Sequence, residues 1–334
     1  MLRNNFLNNT ASLGSDVSAI QGAGGNISYK DGDRLIVKAS GTYLSDALKR
    51  NIFVELSRME VLKLVDERCD NFATLLPAGE LRPSIETPLH ALMPQEIVIH
   101  AHCVHTIAHT VMGRSIAEFQ ELLPKFRVAL IPYKRPGLPL SLAVKKALLE
   151  QEYDVLILQN HGIVIGADNV ERAFAMLEAV RHSLTLQSRA LVAYQPEQLH
   201  ICNDAGWLED SPAAWHSLAC DAVSLHCVSA GPLYPDHVVF LGDSIPIAQK
   251  NERLTSACQR FRLEAGFDPN YMIFPTIGIL VAPNCTVTQR TMLEALSLVA
   301  SRVIPDATVH TLTPEQTAEL ASWEAEKYRQ SLNN

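Results

Sequence analysis

Apolar runs of strand length alternate with helical patterns along most of this chain, and that alternation confines it to the α/β class. Arg34–Ala39 (RLIVKA) reads as a short strand entered through the turn Asp31-Gly32-Asp33. Glu55–Arg68 carries helical apolar spacing at Leu56, Met59, Leu62 and Val65. Glu96–Ala101 is a continuous apolar strand, Val128–Pro132 is another, and Leu140–Glu150 is a helix with Lys145 and Lys146 on its wet side. Val155–Leu158 and Ile163–Ile165 bracket Gln159-Asn160-His161-Gly162. A long helix is expected from about Val170 to about Tyr194, capped by Asp168 or Asn169. A polar stretch between about Gln195 and Ser211 divides the 334 residues into expected domains 1–195 and 212–334.

Composition narrows the classes of function. Charged residues make up 19% and aromatics 6%, which fits neither disorder nor a coiled coil. Lys+Arg 28 against Asp+Glu 36 leaves a net charge of −8, so no broad attraction to nucleic acid or to an anionic membrane is expected. No run approaches the ~20 apolar residues of a membrane span, and no signal-peptide pattern opens the chain. The seven cysteines are odd in number and never spaced C-x-x-C. They read as buried thiols in a reducing compartment, with the cytoplasm as the expected location.

Five of the twelve histidines lie within twenty residues: His90, His100, His102, His105 and His109. His100 and His102 close an apolar strand, and side chains two apart on a strand share a face. That places two imidazoles side by side, as a metal requires, although a pair of surface histidines at a strand end has the same spacing. His161 occupies a tight turn between two apolar strands, and Glu86 opens a helix fourteen residues before His100. Three histidines leave coordination positions open on a divalent metal, and a carboxylate can fill one or act as a base beside it. His105 and His109, four apart on the next helix, suit packing or support of the ligands.

Gly22-Ala23-Gly24-Gly25-Asn26-Ile27-Ser28 is a glycine-rich turn without a preceding strand, so it fails as a dinucleotide fingerprint. Together with Lys38-Ala39-Ser40-Gly41-Thr42 it could line a pocket for a phosphate or carboxylate. Two internal similarities stand out. Aligning Gly162 with Gly278 sets Ile163-Val164-Ile165 against Ile279-Leu280-Val281, each leading into a helix with Met-Leu-Glu-Ala, and His161 falls opposite Ile277. Pro94–His102 likewise resembles Pro235–Asp243, with His100 opposite Leu241 and His102 opposite Asp243. A smaller α/β second domain that is a degenerate repeat would explain both; so would chance, since strand–turn–helix units look alike.

The series GAGGNIS, VKASGT, RPSIETPLH, IHAH and NHG, in that order over roughly residues 5–195, resembles the class II aldolase/adducin family, best known for zinc-dependent fuculose and rhamnulose phosphate aldolases. PLYPDHVVF and the IGILVAPN stretch resemble the carboxy-terminal extension of its longer members, which would be non-catalytic here. The resemblance implies a three-layer α/β/α sandwich around a largely antiparallel sheet, and a divalent metal on His100, His102 and His161. It makes Glu86 the acid/base carboxylate and sets Asn26, Ser40, Gly41 and Ser84 at positions that contact substrate or its phosphate. Tyr133 falls where some family aldolases carry a tyrosine that protonates from a neighbouring subunit, in what are commonly cyclic tetramers. One departure matters: the family's Ser-Ser-Glu is Ser84-Ile85-Glu86 here, and Ile85 has no hydroxyl to offer a phosphate. Lys38 either compensates or recognises a carboxylate.

The expected function is a metal-dependent carbon–carbon lyase, an aldolase cleaving a sugar phosphate or hydroxy-keto acid through a metal-stabilised enediolate. A decarboxylase or epimerase would use the same site, and a non-catalytic assembly module like adducin is the reading from another class. Zinc suits three histidines, with manganese, cobalt and iron as alternatives. A small-molecule substrate and a homo-oligomer, favoured as a tetramer, are the expected partners.

Overall fold

A computed structural model describes residues 4–77, 79 and 81–322; residues 323–334 of the expected second domain lie outside them. The described residues form two compact units. One comprises residues 4–110 and 114–185, the other residues 111–113 and 186–322.

The first unit is built on seven strands: β1 Asn26–Asp31, β2 Arg34–Lys38, β3 Phe53–Ser57, β4 Ile97–Ala101, β5 Val128–Ile131, β6 Val155–Leu158 and β7 Gly162–Ala167. They lie in the order β3-β2-β1-β4-β7-β6-β5. The helices are α1 Asn4–Gly14, α2 Arg58–Asp66, α3 Thr87–Leu92, α4 Val104–Val111, α5 Ile116–Leu122, α6 Leu138–Leu148 and α7 Val170–Ser183. The expected antiparallel sheet holds only in part, because β5 and β6 run parallel and the sheet is therefore mixed. The segment after α5 feeds β5 in from the far edge, and α6 carries the chain back before β6, which is the crossover a parallel pair needs.

Strand alternation sorts the core into two faces. Ile97, Ile99, Ala101, Ile163, Ile165, Val155 and Ile157 pack against α1, α5 and α7 residues such as Phe6, Phe119 and Leu177. Val98, Val164, Leu156 and Leu158 pack on the other face with Leu89 of α3 and Leu140 and Val144 of α6. Each such side chain contributes roughly 1.5–3 kcal/mol when taken fully out of water. A central strand buried on both faces has to be apolar throughout, as β4, β6 and β7 are up to their ends.

The pairings bring one rim of the sheet together. β1, β3 and β7 begin there, and β2, β4, β5 and β6 end there. The motifs that carry Asn26, Ser40, His100, His102 and His161 therefore lie on that rim. Two ranges differ from expectation. Residues 53–57 form a strand before the helix expected from Glu55, and α7 ends at Ser183, well short of Tyr194.

The second unit contains α8 Pro196–Cys202, α9 Ala213–Cys220, α10 Ala222–Ser229, α11 Pro235–Leu241, α12 Leu254–Ala265, the strands β8 Tyr271–Phe274 and β9 Gly278–Val281, α13 Val287–Ala300 and α14 Pro314–Ser322. β8 and β9 form an antiparallel hairpin over a core of Leu199, Leu254, Phe261, Met272, Phe274 and Leu280. Residues 235–241 align in sequence with the segment that holds β4, but that similarity does not extend to the fold: they form a helix instead. Pro235 occupies its first turn, where proline's fixed φ is preorganised and its missing N–H costs nothing.

Candidate metal centre on one rim of the sheet

His100 stands on the α3 face of β4, and His102 follows two residues later beyond the strand end. His161 comes to them because β7 pairs with β4, Ala101 opposite Ile163 and His100 opposite Val164. The turn into β7 is tight: His161 N–H donates to the Leu158 carbonyl at 3.1 Å, and Asn160 adopts φ 51, which asparagine tolerates. Gly162 is required by close approach, since a Cβ there would lie 2.3 Å from the Ala101 carbonyl oxygen. Thr110 Oγ1 accepts the Asn160 N–H at 3.0 Å and holds the turn from below; no sequence signal had singled it out.

The three imidazoles are all buried, with ring centroids 4.8–5.1 Å apart. One ring nitrogen from each lies within 4.8 Å of the others, a spacing that a single metal ion can bridge. His100 Nδ1 stands 3.0 Å from the Ile163 carbonyl. A carbonyl only accepts, so that nitrogen carries the proton and Nε2 presents a bare lone pair. This is the tautomer and backing contact of a metal-ligating histidine. His102 Nε2 stands 3.1 Å from His100 Nε2. Without a cation one ring must donate to the other; a cation replaces that proton.

Glu86 closes the cluster from the α3 side. Its Oε2 is 3.3 Å from His100 Nε2 and its Oε1 is 3.6 Å from His161 Nε2. Three imidazole nitrogens facing a buried carboxylate make a donor set suited to a divalent cation in chemistry as well as spacing.

The remaining predicted residues divide. Asn26 begins β1 opposite His100 and donates from Nδ2 to Glu86 Oε2 at 2.8 Å. Ser40 and Ser84 are brought side by side by the Ala39–Pro83 bridge, with Ser40 N–H on the Arg82 carbonyl and Ser84 N–H on the Lys38 carbonyl. Both line a cleft together with Asp70, Phe72 and Arg82; residues 70–72 carry no motif that would place them beside Ser40 and Ser84. Gly41 makes the turn after Ser40 with φ 72. Lys38 is 2% exposed and turned inward, donating to the Ala23 carbonyl at 2.8 Å. It thus ties down the glycine-rich loop, as does Gln21, whose Nε2 donates to the His102 carbonyl at 3.1 Å. Tyr133 lies on the same rim beyond β5, about 10 Å along from β7 at the usual strand spacing, and its backbone N–H donates to Gln159 Oε1.

Beneath the centre runs a buried polar floor. On one face of β1, Asn26, Ser28 and Lys30 meet Glu86, His90 and the Gln95 carbonyl in turn. Ser28 Oγ is 2.8 Å from His90 Nδ1, and Lys30 Nζ is 2.5 Å from the Gln95 carbonyl. Burial, reinforced by Lys30, His100 and Lys38, holds the His90 imidazole well below its usual range. Burial, with Arg58 adding and Glu96 opposing, brings Lys30 down to about 7. His109 packs away from the centre, its Nε2 3.0 Å from the Leu184 carbonyl, and burial lowers it to about 4.

The family model for the class II aldolase and adducin N-terminal domain matches residues 13–188. The "uncharacterized oxidoreductase YuxG" of Bacillus subtilis (strain 168) is 27% identical over 182 residues, 48% of this chain and 26% of its own. Fluorothreonine transaldolase of Streptantibioticus cattleyicolor is 31% identical over 164 residues, 47% of this chain and 21% of its own. L-fuculose phosphate aldolase of Methanocaldococcus jannaschii is 24% identical over 182 residues, 51% of this chain and 87% of its own. The match thus spans about a quarter of the length of the first two relatives. Among the described residues no helix is long and apolar enough to cross a membrane.

Proposed function

Because the chain belongs to the class II aldolase and adducin family, we propose that it is a divalent-metal-dependent carbon–carbon lyase with His100, His102 and His161 as ligands and Glu86 as acid/base. One observation carries the reading: three buried imidazole nitrogens within 4.8 Å of one another, faced by both oxygens of a buried carboxylate. A divalent ion there supplies Lewis acidity to a substrate carbonyl oxygen. Zinc suits the donor set, and manganese, cobalt or iron would accept it. Aldol cleavage of a small hydroxy-carbonyl substrate, a sugar phosphate or a hydroxy-keto acid, is the favoured reaction, in keeping with the names of two of the three relatives.

Within that reaction Glu86 holds or moves the proton at the carbon beside the carbonyl, the task of a general base buried next to the reacting atoms. Ser40, Gly41 and Ser84 bind the remote end of the substrate with Lys38, which also ties down the glycine-rich loop beside them. Tyr133 serves the leaving oxygen from a second copy of the chain in a homo-oligomer. The second unit has a non-catalytic role, and the protein works in the cytoplasm.

The test is metal per chain, measured on the native protein and on a His100→Ala/His102→Ala variant purified identically. The reading predicts about one equivalent in the first and none in the second. Glu86→Gln should keep its metal and lose turnover by about 10²- to 10⁴-fold. An active, metal-free His100→Ala protein would sink it.

A further inference from the structure

The turn that carries His161 spends its three backbone N–H groups on three different elements. Gln159 N–H donates to the Ile131 carbonyl at the end of β5, at 3.0 Å, and His161 N–H to the Leu158 carbonyl of β6, at 3.1 Å. Both are backbone contacts that the strand order and the hairpin supply. The middle one is different, because Asn160 N–H donates to a side chain, Thr110 Oγ1 of α4, at 3.0 Å. The Thr110 hydroxyl donates in turn to the Ile107 carbonyl at 2.9 Å, which leaves a lone pair for the turn. In the hairpin of the second unit, the corresponding Thr276 N–H goes to a backbone carbonyl, that of Ala219, at 2.8 Å.

The place of Thr110 in the chain gives that contact a second meaning. The ladder between β4 and β7 fixes His100 against the turn, but it ends at Ala101 opposite Ile163, and His102 lies beyond it. α4 starts two residues after His102 and carries Thr110 roughly two turns along. Its first end is tied down, with Gln21 Nε2 on the His102 carbonyl at 3.1 Å and Val104 N–H on the Ser18 carbonyl at 2.9 Å. Near its other end His109 Nε2 lies 3.0 Å from the Leu184 carbonyl. α4 is thus a strut from His102 to the turn of His161, and the Thr110 hydroxyl is its far joint. Thr110 is 1% exposed, so the joint is shielded from solvent. Asn160 sits at φ 51, in the left-handed region, and the contact holds it there.

From this bracing we infer that Thr110 is a positioning residue of the metal centre. Its hydroxyl sets where His161 stands relative to His102, and so sets the affinity of the triad for a divalent cation. The inference rests on the reading that His100, His102 and His161 hold such a cation. Thr110 itself touches neither cation nor substrate; it acts through the Asn160 backbone on the next residue. Thr106 supplies a control on the same helix. Its Oγ1 is buried and has no hydrogen-bond partner, so removing it leaves the turn untouched.

The experiment measures the zinc Kd by competition with a chelating indicator on wild type, Thr110→Val, Thr110→Ser and Thr106→Val, with the metal-free melting temperature of each. Valine keeps the shape of threonine and removes the acceptor. Loss of a contact that supports a ligand predicts zinc binding about 10- to 100-fold weaker in Thr110→Val. Thr110→Ser keeps the hydroxyl and should restore most of that affinity, and Thr106→Val should match wild type. Visible absorption of the cobalt-loaded chain reports ligand geometry directly, and should change in Thr110→Val and return in Thr110→Ser. Thr110→Ala stands in if Thr110→Val does not fold. An unchanged Kd in the folded variant that lacks the hydroxyl overturns the inference. So does equal weakening in Thr110→Val and Thr106→Val, which would mean that α4 merely loosens. A Thr110→Ser chain that folds and binds no better than Thr110→Val overturns it as well. Wild type that takes no zinc, manganese or cobalt removes the metal reading itself and this inference with it, a failure seen before any substitution is made.

Discussion

The hairpin turns of the two units have nearly the same backbone and different chemistry. Leu158 pairs with Gly162 across the first, and Phe274 with Gly278 across the second. In each the fourth residue donates its N–H to the first, His161 to Leu158 at 3.1 Å and Ile277 to Phe274 at 3.0 Å. Asn160 and Thr276 both take positive φ, 51 and 64, and both glycines sit at φ 159. Each hairpin leads to a helix of 14 residues, capped by Asn169 in one case and Thr286 in the other. Yet His161 meets two histidines and a carboxylate, whereas Ile277 packs on the apolar core around Leu199 and Phe274. The turn is a scaffold that places one side chain; what stands opposite decides whether that side chain can do chemistry.

The largest expected effect comes from making the first turn like the second. His161→Ile should abolish stoichiometric metal binding and lower turnover on the order of 10³-fold, while the melting temperature moves by no more than about 4–8 °C. Elemental analysis beside a thermal melt checks it, and a variant that keeps its metal breaks the comparison.

The floors beneath the turns differ too, polar in one unit and apolar in the other, and pH should report it. Lys30 titrates near 7 when folded against 10.5 when unfolded, so the unfolded chain binds the extra proton between those values. Stability should therefore rise as pH climbs from about 7 towards 10.5, by on the order of 4 kcal/mol from this group. Chemical denaturation of wild type and Lys30→Met across that range tests it, and a slope unchanged by the substitution would contradict it.

Glycine-to-alanine exchange separates the two turns by what crowds them. Gly162→Ala drives a Cβ to 2.3 Å from backbone oxygen, which cannot swing away, and should cost about 3 kcal/mol. Gly278→Ala meets the His216 ring at 3.0 Å and the movable Leu199 side chain at 3.2 Å, and should cost nearer 1 kcal/mol. Since φ is the same in both, the difference between the two measured losses isolates contact from conformation. The smallest effect is expected of Ile277→His: about 1 kcal/mol or less and no second equivalent of metal, because among the described residues the cluster able to hold a metal is His100, His102 and His161 alone.

Much of the centre was legible because its residues stand at strand ends, where period-2 alternation and turn residues speak plainly: His100, His102, Asn160-His161-Gly162 and Glu86 each sit in a short local pattern. What local pattern cannot convey is the direction of a long side chain. Lys38 beside a glycine-rich loop invites an anion, and only the packing shows that its ammonium also donates to the Ala23 carbonyl. The cleft wall at Asp70–Phe72 is brought in by tertiary placement alone. Residues 235–241 show the other limit, since a short apolar run does not distinguish strand from helix by periodicity. Pro235 at the first turn and Asp236 beside it were the helix-start signals that could have decided it.

The β4–β7 pairing has a kinetic consequence. It joins segments about sixty residues apart, so Glu86, His100 and His102 remain strangers to His161 until that long loop closes. Local hairpins such as β1–β2 close a short loop, whereas bringing the three histidines together requires the long one. A cation bound there acts as a fastener on that closure, adding about 2.7 kcal/mol at a hundredfold excess over its Kd. Hydrogen exchange at Ile99 and Ile165, compared with and without metal, would then time the opening of this seam.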